Sequence, residues 1–142
     1  MAFLMTSLGS EPVTLVRGRR VWLRSPLMSD YAGWAELRAM SREHLTPWEP
    51  QWTLDELTRS AYRRRLRHYQ REQREDLGHA FFIFRSGDDV LLGGATLSNI
   101  RRGVSQSASL GYWLGAPFLR RGHMTDAVSA VLEFAYSEAR LH

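Results

Sequence analysis

Arg20-Val21-Trp22-Leu23-Arg24 alternates between polar and apolar side chains, the period of a half-buried strand. Ser29 or Asp30 then offers a cap for a helix running to about Ser41. Its expected buried stripe is Trp34, Leu37 and Met40, at three-residue steps. Pro47 and Pro50 forbid a continuous helix across His44 to Trp52. Thr53 with Glu56 three residues on has the form of a capping box, which predicts a long helix from there to about Asp76, closed near Gly78. Three strands should follow. Ala80 to Arg85 is nearly all apolar, Ser86-Gly87-Asp88-Asp89 supplies a hairpin turn, Val90 to Asn99 returns, and Ser107 to Leu114 extends the meander after Arg101-Arg102-Gly103. Gly93-Gly94 marks a bulge or a close backbone approach. From Arg121 on, Met124, Ala127, Val128, Val131, Leu132 and Ala135 recur as one apolar helix face.

The pattern is α+β: strand, helix, helix, three antiparallel strands, helix. Residues 1–16 show little periodicity and are expected to be a loose leader to a domain over 17–142. A helix that leaves a last strand usually crosses back to lay down a parallel neighbour. No such strand follows here, so the edge of Ser107–Leu114 is expected to stay open and to invite a second copy of the chain.

The 142 residues suffice for one core, and 44% apolar with 24% charged residues is ordinary for a globular domain. No run reaches the length of a membrane span or a signal-peptide core, so no membrane partner and a cytoplasmic protein are expected. The absence of Cys excludes disulfides, thiolate metal sites and a Cys nucleophile. His44, His68, His79, His123 and His142 lack metal-ligand spacing, and no metal is expected. All 19 basic residues are Arg, which reads first as codon usage, and the formal charge of +4 modestly favours anionic partners. Neither G-x-x-x-x-G-K-[ST], G-x-G-x-x-G nor G-x-S-x-G occurs, which argues against a P-loop, a dinucleotide fold and a hydrolase elbow.

Two segments carry candidate chemistry. Leu119 to Thr125 joins a strand to a helix start, where unpaired amides meet the positive end of the helix dipole. The amides of Arg121, Gly122, His123, Met124 and Thr125, helped by Arg120 and Arg121, suit a diphosphate. In the proline-braced loop, Trp48, Glu49 and Trp52 either grip a peptide terminus, with Glu49 pairing its ammonium, or cap the core edge. The basic stretch Arg63 to Arg74 is either an RNA contact or a solvated face, since Glu72 and Glu75 interrupt it. DNA is not expected as a partner.

Three stretches together resemble the GNAT superfamily of N-acetyltransferases, and within it the ribosomal-protein-alanine branch. They are Glu43-His44-Leu45-Thr46-Pro47-Trp48-Glu49-Pro50, then Gly93 to Gly103, then Leu110-Gly111-Tyr112-Trp113-Leu114-Gly115 leading into Arg120 to Ala127. The resemblance implies acetyl-CoA as co-substrate. Trp113 and Leu114 would offer backbone groups to the pantetheine arm and thioester carbonyl, with the N–H near Leu114 polarising that carbonyl. Arg120 to Thr125 would hold the pyrophosphate, and the Trp48–Glu49 loop would border a protein N-terminus, with Glu49 as base or amine-orienting group. The turn's first position, Gln or Arg in the family, is Leu119 here, and Arg120 or Arg121 would compensate. Family members continue with a parallel strand, a helix and a hairpin. The resemblance therefore implies a partial domain, inactive or weak by itself. A small-molecule amine acetyltransferase and a non-catalytic RNA-binding module stay as alternatives.

Overall fold

The computed structural model describes residues 3–8, 11–103 and 106–137, with backbone alone for 3–8 and 11–14. Among the described residues, six strands form one antiparallel sheet in sequence order: β1 (Phe3–Leu8), β2 (Glu11–Arg17), β3 (Val21–Arg24), β4 (His79–Arg85), β5 (Leu91–Arg101) and β6 (Ser107–Leu114). The helices are α1 (Tyr31–Met40), the single turn α2 (Arg42–Leu45), α3 (Arg59–Arg74) and α4 (His123–Ser137). The element order expected from β3 onward is observed. The loose leader is not: its described residues supply β1 and β2, with Leu15 and Val16 paired to Arg24 and Leu23. Residues 1, 2, 9 and 10 of that leader lie outside the described residues.

The sheet divides two cores. On one face α4 packs on Val16, Leu23, Phe81, Ile83 and Leu92. On the other, Trp34 of α1 and Tyr62 and Leu66 of α3 pack on Phe82 and Phe84. The apolar run in β4 follows from this, because a strand covered on both faces has no solvent side to alternate with.

Three expectations are corrected in detail. Met40 is exposed, and the buried stripe of α1 is Trp34, Leu37 and Arg38, with buried Ser41 at its C-cap. Thr53 and Glu56 do not start α3: Thr53 Oγ1 donates to Asp55, and Thr58 is the cap, accepting from the Ala61 amide at 3.2 Å. On α4 the core face turns to Ala127, Ala130, Val131, Phe134 and Ala135, leaving Leu132 exposed.

Gly93 and Gly94 mark a close approach and a bulge. The β4–β5 register slips beside Ile83, and a Cβ on Gly93 would run into the Trp113 carbonyl oxygen. Among the described residues β6 pairs only with β5, so its other edge is open. No helix is long and apolar enough to cross a membrane among the described residues.

Candidate functional site

The end of β6 has a definite phase. Gly115 N–H donates to the Leu92 carbonyl at 2.8 Å, while Leu114 stands opposite Gly93 and Trp113 opposite Gly94. In an antiparallel ladder, hydrogen-bonded and non-bonded pairs alternate. Leu114 is therefore in a non-bonded pair, and its N–H and C=O point away from β5 to the open edge, as do those of Tyr112. Trp113 spends its backbone on Gly94. Of the two residues expected to present backbone groups, Leu114 does and Trp113 does not. Tyr112 is the second presenter, missed because ladder phase is not written in composition.

After β6 a short turn, Ala116–Phe118, leads to a backbone of alternating hand. Leu119 has φ −67°, Arg120 +60° and Gly122 +79°. Such alternation turns successive N–H groups into one concavity, an anion nest. Among the described residues, no acceptor is bonded to the amides of Arg121, Gly122, His123, Met124 or Thr125. The helix ladder begins with Asp126 N–H donating to the Gly122 carbonyl at 3.2 Å. His123 is buried, and its Nδ1 has no partner. Burial, then the Arg20 and Arg85 charges, hold its imidazole below the ordinary 6.5, against a backbone bond at Phe118 that raises it. Unspent amides beside the Arg20 guanidinium are the complement of an anion, and these residues fit a diphosphate. Leu119 turns its side chain to the core. Arg20 brings a guanidinium to the loop, lying where a Cβ on Gly122 would be.

Asp126 holds this loop in place. Its carboxylate accepts from three consecutive amides at the β2–β3 turn: Arg19 at 3.1 Å, Arg20 at 2.7 Å and Val21 at 3.1 Å. We expect Asp126→Asn to cost about 1–3 kcal/mol, because an amide group turns a donor toward N–H groups that need acceptors. Urea unfolding of the two proteins checks this.

The acceptor-side loop is organised by Arg38, a residue the sequence reading passed over. Its guanidinium is 4% exposed and forms a two-pronged pair with Glu49, each N–O distance 2.8 Å. The guanidinium carbon lies 4.8 Å from the Trp52 ring centre, 4.9 Å from Trp113 and 5.9 Å from Trp34. Trp52 Nε1–H donates to Glu49 Oε1 at 2.9 Å. Both Glu49 oxygens are thus engaged. Burial would raise this carboxyl, but the hydrogen bonds from Arg38 and Trp52, with the Arg38 and Arg65 charges, outweigh it and hold it below the ordinary 4.5. Such a carboxylate is a poor proton acceptor, which disfavours the general-base role expected of Glu49. Trp52 is buried and Trp48 is 85% exposed, so of the two indoles only Trp48 is free to meet a partner. At the C-cap of α1, Ser41 Oγ accepts from the Ala116 amide at 2.9 Å. One helix therefore holds both the 46–52 loop and the exit of β6.

The lowered Glu49 value has a sign. The native carboxyl binds its proton less readily than the unfolded one, so the stabilisation is complete above the unfolded value and is lost as pH falls through the native one. The stability gap between wild type and Glu49→Gln is expected to be constant above about pH 5.5 and to shrink in acid; denaturant midpoints between pH 7 and 3 check it.

The sheet with helices on both faces, the glycine-tight β5–β6 junction and the amide nest leading into α4 make an α+β fold with an anion-receptive loop beside an open strand edge. Residues 20–142 match the acetyltransferase (GNAT) domain model, and the chain belongs to that family. It is 30% identical over 128 residues to the probable N-acetyltransferase YjcK of Bacillus subtilis, covering 90% of this chain and 71% of that one. It is 26% identical over 118 residues to the [ribosomal protein uS5]-alanine N-acetyltransferase of Escherichia coli, covering 82% of this chain and 61% of the relative. Among solved structures, Mycobacterium smegmatis RimJ in complex with CoA-disulfide superposes with a TM-score of 0.80 at 27% identity, over 92% of this chain and 64% of that one. The ribosomal-protein-S5-alanine acetyltransferase of Vibrio fischeri shares the fold, with a TM-score of 0.80 at 23% identity, over 90% and 70%. No metal-binding group of His, Asp or Glu is found among the described residues.

Proposed function

We propose that this chain binds acetyl-CoA and belongs to an enzyme that acetylates the α-amino group of a protein N-terminus, with ribosomal proteins as the substrate class. The observation that carries the reading is the run of amides from Arg121 to Thr125 left without acceptors on a backbone bent into a nest. The relatives named for ribosomal-protein alanine acetylation support the substrate class.

Acetyl-CoA supplies an acetyl group activated as a thioester. The nest at Arg120 to Thr125 binds its diphosphate, and the outward groups of Tyr112 and Leu114 align the pantetheine arm along the open edge of β6. Leu114 N–H is placed to stabilise negative charge on the thioester oxygen, the role in which a fixed donor is most effective. The acceptor must arrive as a neutral amine. A protein α-amino group has an ordinary pKa of about 7.7–8.0, against about 10.4 for lysine, so it is substantially neutral near pH 8 without a strong base. Glu49 then serves as an anchor: it fixes Trp52 and the loop that presents Trp48 to the incoming peptide.

Two measurements test this. Calorimetry with acetyl-CoA should give saturable binding; none would overturn the reading. By mass spectrometry, any acetyl the chain transfers, however slowly, should fall on an alanine-initiated peptide and not on the same peptide with a blocked terminus and an internal lysine. Labelling of the blocked peptide, or of a small amine alone, would overturn the N-terminal assignment.

A further inference from the structure

Every exposed residue of α3 is an arginine except Ser60 and His68: Arg59, Arg63, Arg64, Arg67, Arg71 and Arg74. The opposite side of the helix is spent on the core through Tyr62 and Leu66. Arg63, Arg67 and Arg71 recur at every fourth residue, so they form one row with steps of about 6 Å along the helix axis.

Three features distinguish this row from a solvated basic face. First, the side chains of Arg63, Arg67 and Arg71 enter no ion pair, hydrogen bond or ring contact among the described residues. The carboxylates near them are taken: Asp55 pairs with Arg64 at 2.7 Å, Glu56 with Arg65 at 3.3 Å, and Glu72 faces His68 at 3.4 Å. Second, the row opposes its own helix. Like charges four residues apart repel, and α3 opens on Arg59 with no acid in its first turn, where the helix dipole favours negative charge. Third, the row is tied to the acceptor side. The Asp55 and Glu56 pairs anchor α3 to residues 53–58, which follow directly on the Trp48–Trp52 loop, and the Arg65 charge is felt at Glu49. α1 and α3 cover the face of the sheet opposite α4, so the row stands apart from the amide nest.

We propose that the outer face of α3 is a docking surface for structured RNA, gripped through its phosphates. The choice of RNA rests on the ribosomal-protein reading above. A row of charge of one sign complements a polyanion of regular spacing, and guanidinium groups pair with phosphate oxygens two at a time. No aromatic side chain of α3 is exposed to stack on unpaired bases, so the contact is to a duplex backbone and not to sequence. A-form RNA crowds its phosphates along a deep, narrow major groove, which suits a straight row of cations. A lipid surface is disfavoured, because α3 exposes no apolar side chain to insert. RNA held here brings a protein bound to it up to Trp48.

The test is fluorescence anisotropy with a labelled RNA hairpin of mixed sequence, repeated as salt rises. The Arg63→Gln, Arg67→Gln, Arg71→Gln triple variant is expected to bind about tenfold more weakly than wild type, the sum of three exposed ion pairs. Its salt dependence should be shallower by about three in the log–log slope, one for each phosphate released. Its melting temperature should equal or exceed that of wild type, since these guanidinium groups only repel one another in the folded chain. A second triple variant, Arg17→Gln, Arg19→Gln, Arg101→Gln, removes the same charge elsewhere and should bind the hairpin as wild type does. Equal weakening in that variant, or a lowered melting temperature in the first, would overturn the surface. Duplex DNA of the same sequence binding as tightly, or polyglutamate displacing the hairpin at equal charge, would overturn the assignment to RNA. Wild type that binds acetyl-CoA but no hairpin would overturn the docking surface and leave the acetyltransferase reading standing. Hairpin binding through the row without acetyl-CoA binding would do the reverse.

Discussion

Arg38→Ala is expected to lower folding stability by about 3–5 kcal/mol, the scale for breaking one partner of a buried ion pair. That is a large part of the total of about 5–15 kcal/mol typical of a domain. Removing the guanidinium leaves Glu49, only 21% exposed, without its counter-charge. It also empties the space between the Trp34, Trp52 and Trp113 rings. The pair itself is not the source of the effect, since desolvating two charges offsets most of their attraction. The double variant Arg38→Met, Glu49→Leu is therefore expected to recover much of the loss. Urea midpoints of Arg38→Met, of Glu49→Leu and of the double variant measure the coupling. Near-additive losses would show that Arg38 stabilises through its stem and ring contacts alone. Because this cluster joins the 46–52 loop to β6, the double variant should refold while raising KM for the acceptor peptide more than KM for acetyl-CoA.

Gly122→Val is expected to leave the fold standing and to weaken acetyl-CoA binding by about 100-fold or more, the loss of two charge-assisted hydrogen bonds. A β-branched residue at φ +79° is strained by about 1–3 kcal/mol. The chain relieves this by turning the local backbone, which dismantles the concavity made by the neighbouring amides. The new side chain also displaces the Arg20 guanidinium. Gly122→Ala separates the two causes. Its Cβ meets the flexible end of Arg20, and pairing it with Arg20→Ala removes the collision but not the φ cost. If Gly122→Ala in the Arg20→Ala background binds as well as Arg20→Ala alone, the backbone hand is not what shapes the site. Circular dichroism and calorimetry on the same samples distinguish lost fold from lost affinity.

The parts of the site that were legible beforehand are those carried by local sequence. The Leu119 to Thr125 junction could be read because a helix start exposes amides wherever it occurs, and a glycine there permits positive φ. The strand Ser107 to Leu114 and the double glycine opposite it were legible because the period of two and the absence of a side chain are local properties. The capping box at Thr53 misled, because two residue types at the right spacing do not reveal that Thr53 is taken by Asp55 and Glu56 by Arg65. The 1–16 segment misled for the converse reason: β2 owes its form to its pairing with β3 and β1 to its pairing with β2, and their own periodicity is weak.

Arg38 shows where local reading stops. Periodicity places it on α1 but cannot rotate the helix, and an arginine defaults to solvent unless a counter-charge and aromatic faces are brought to it. Glu49 lies eleven residues away, and Trp113 arrives only when β6 joins the sheet. Likewise, Leu114 rather than Trp113 faces the open edge because Gly115 bonds to Leu92, a matter of ladder phase. By itself the sequence determined the α+β order of elements from β3 onward and the anion-receptive helix start, since both follow from repeats a few residues long. Tertiary structure alone decided which arginines are buried, paired or left open to an anion, and which backbone groups remain unspent. Those outcomes depend on neighbours that only folding brings together.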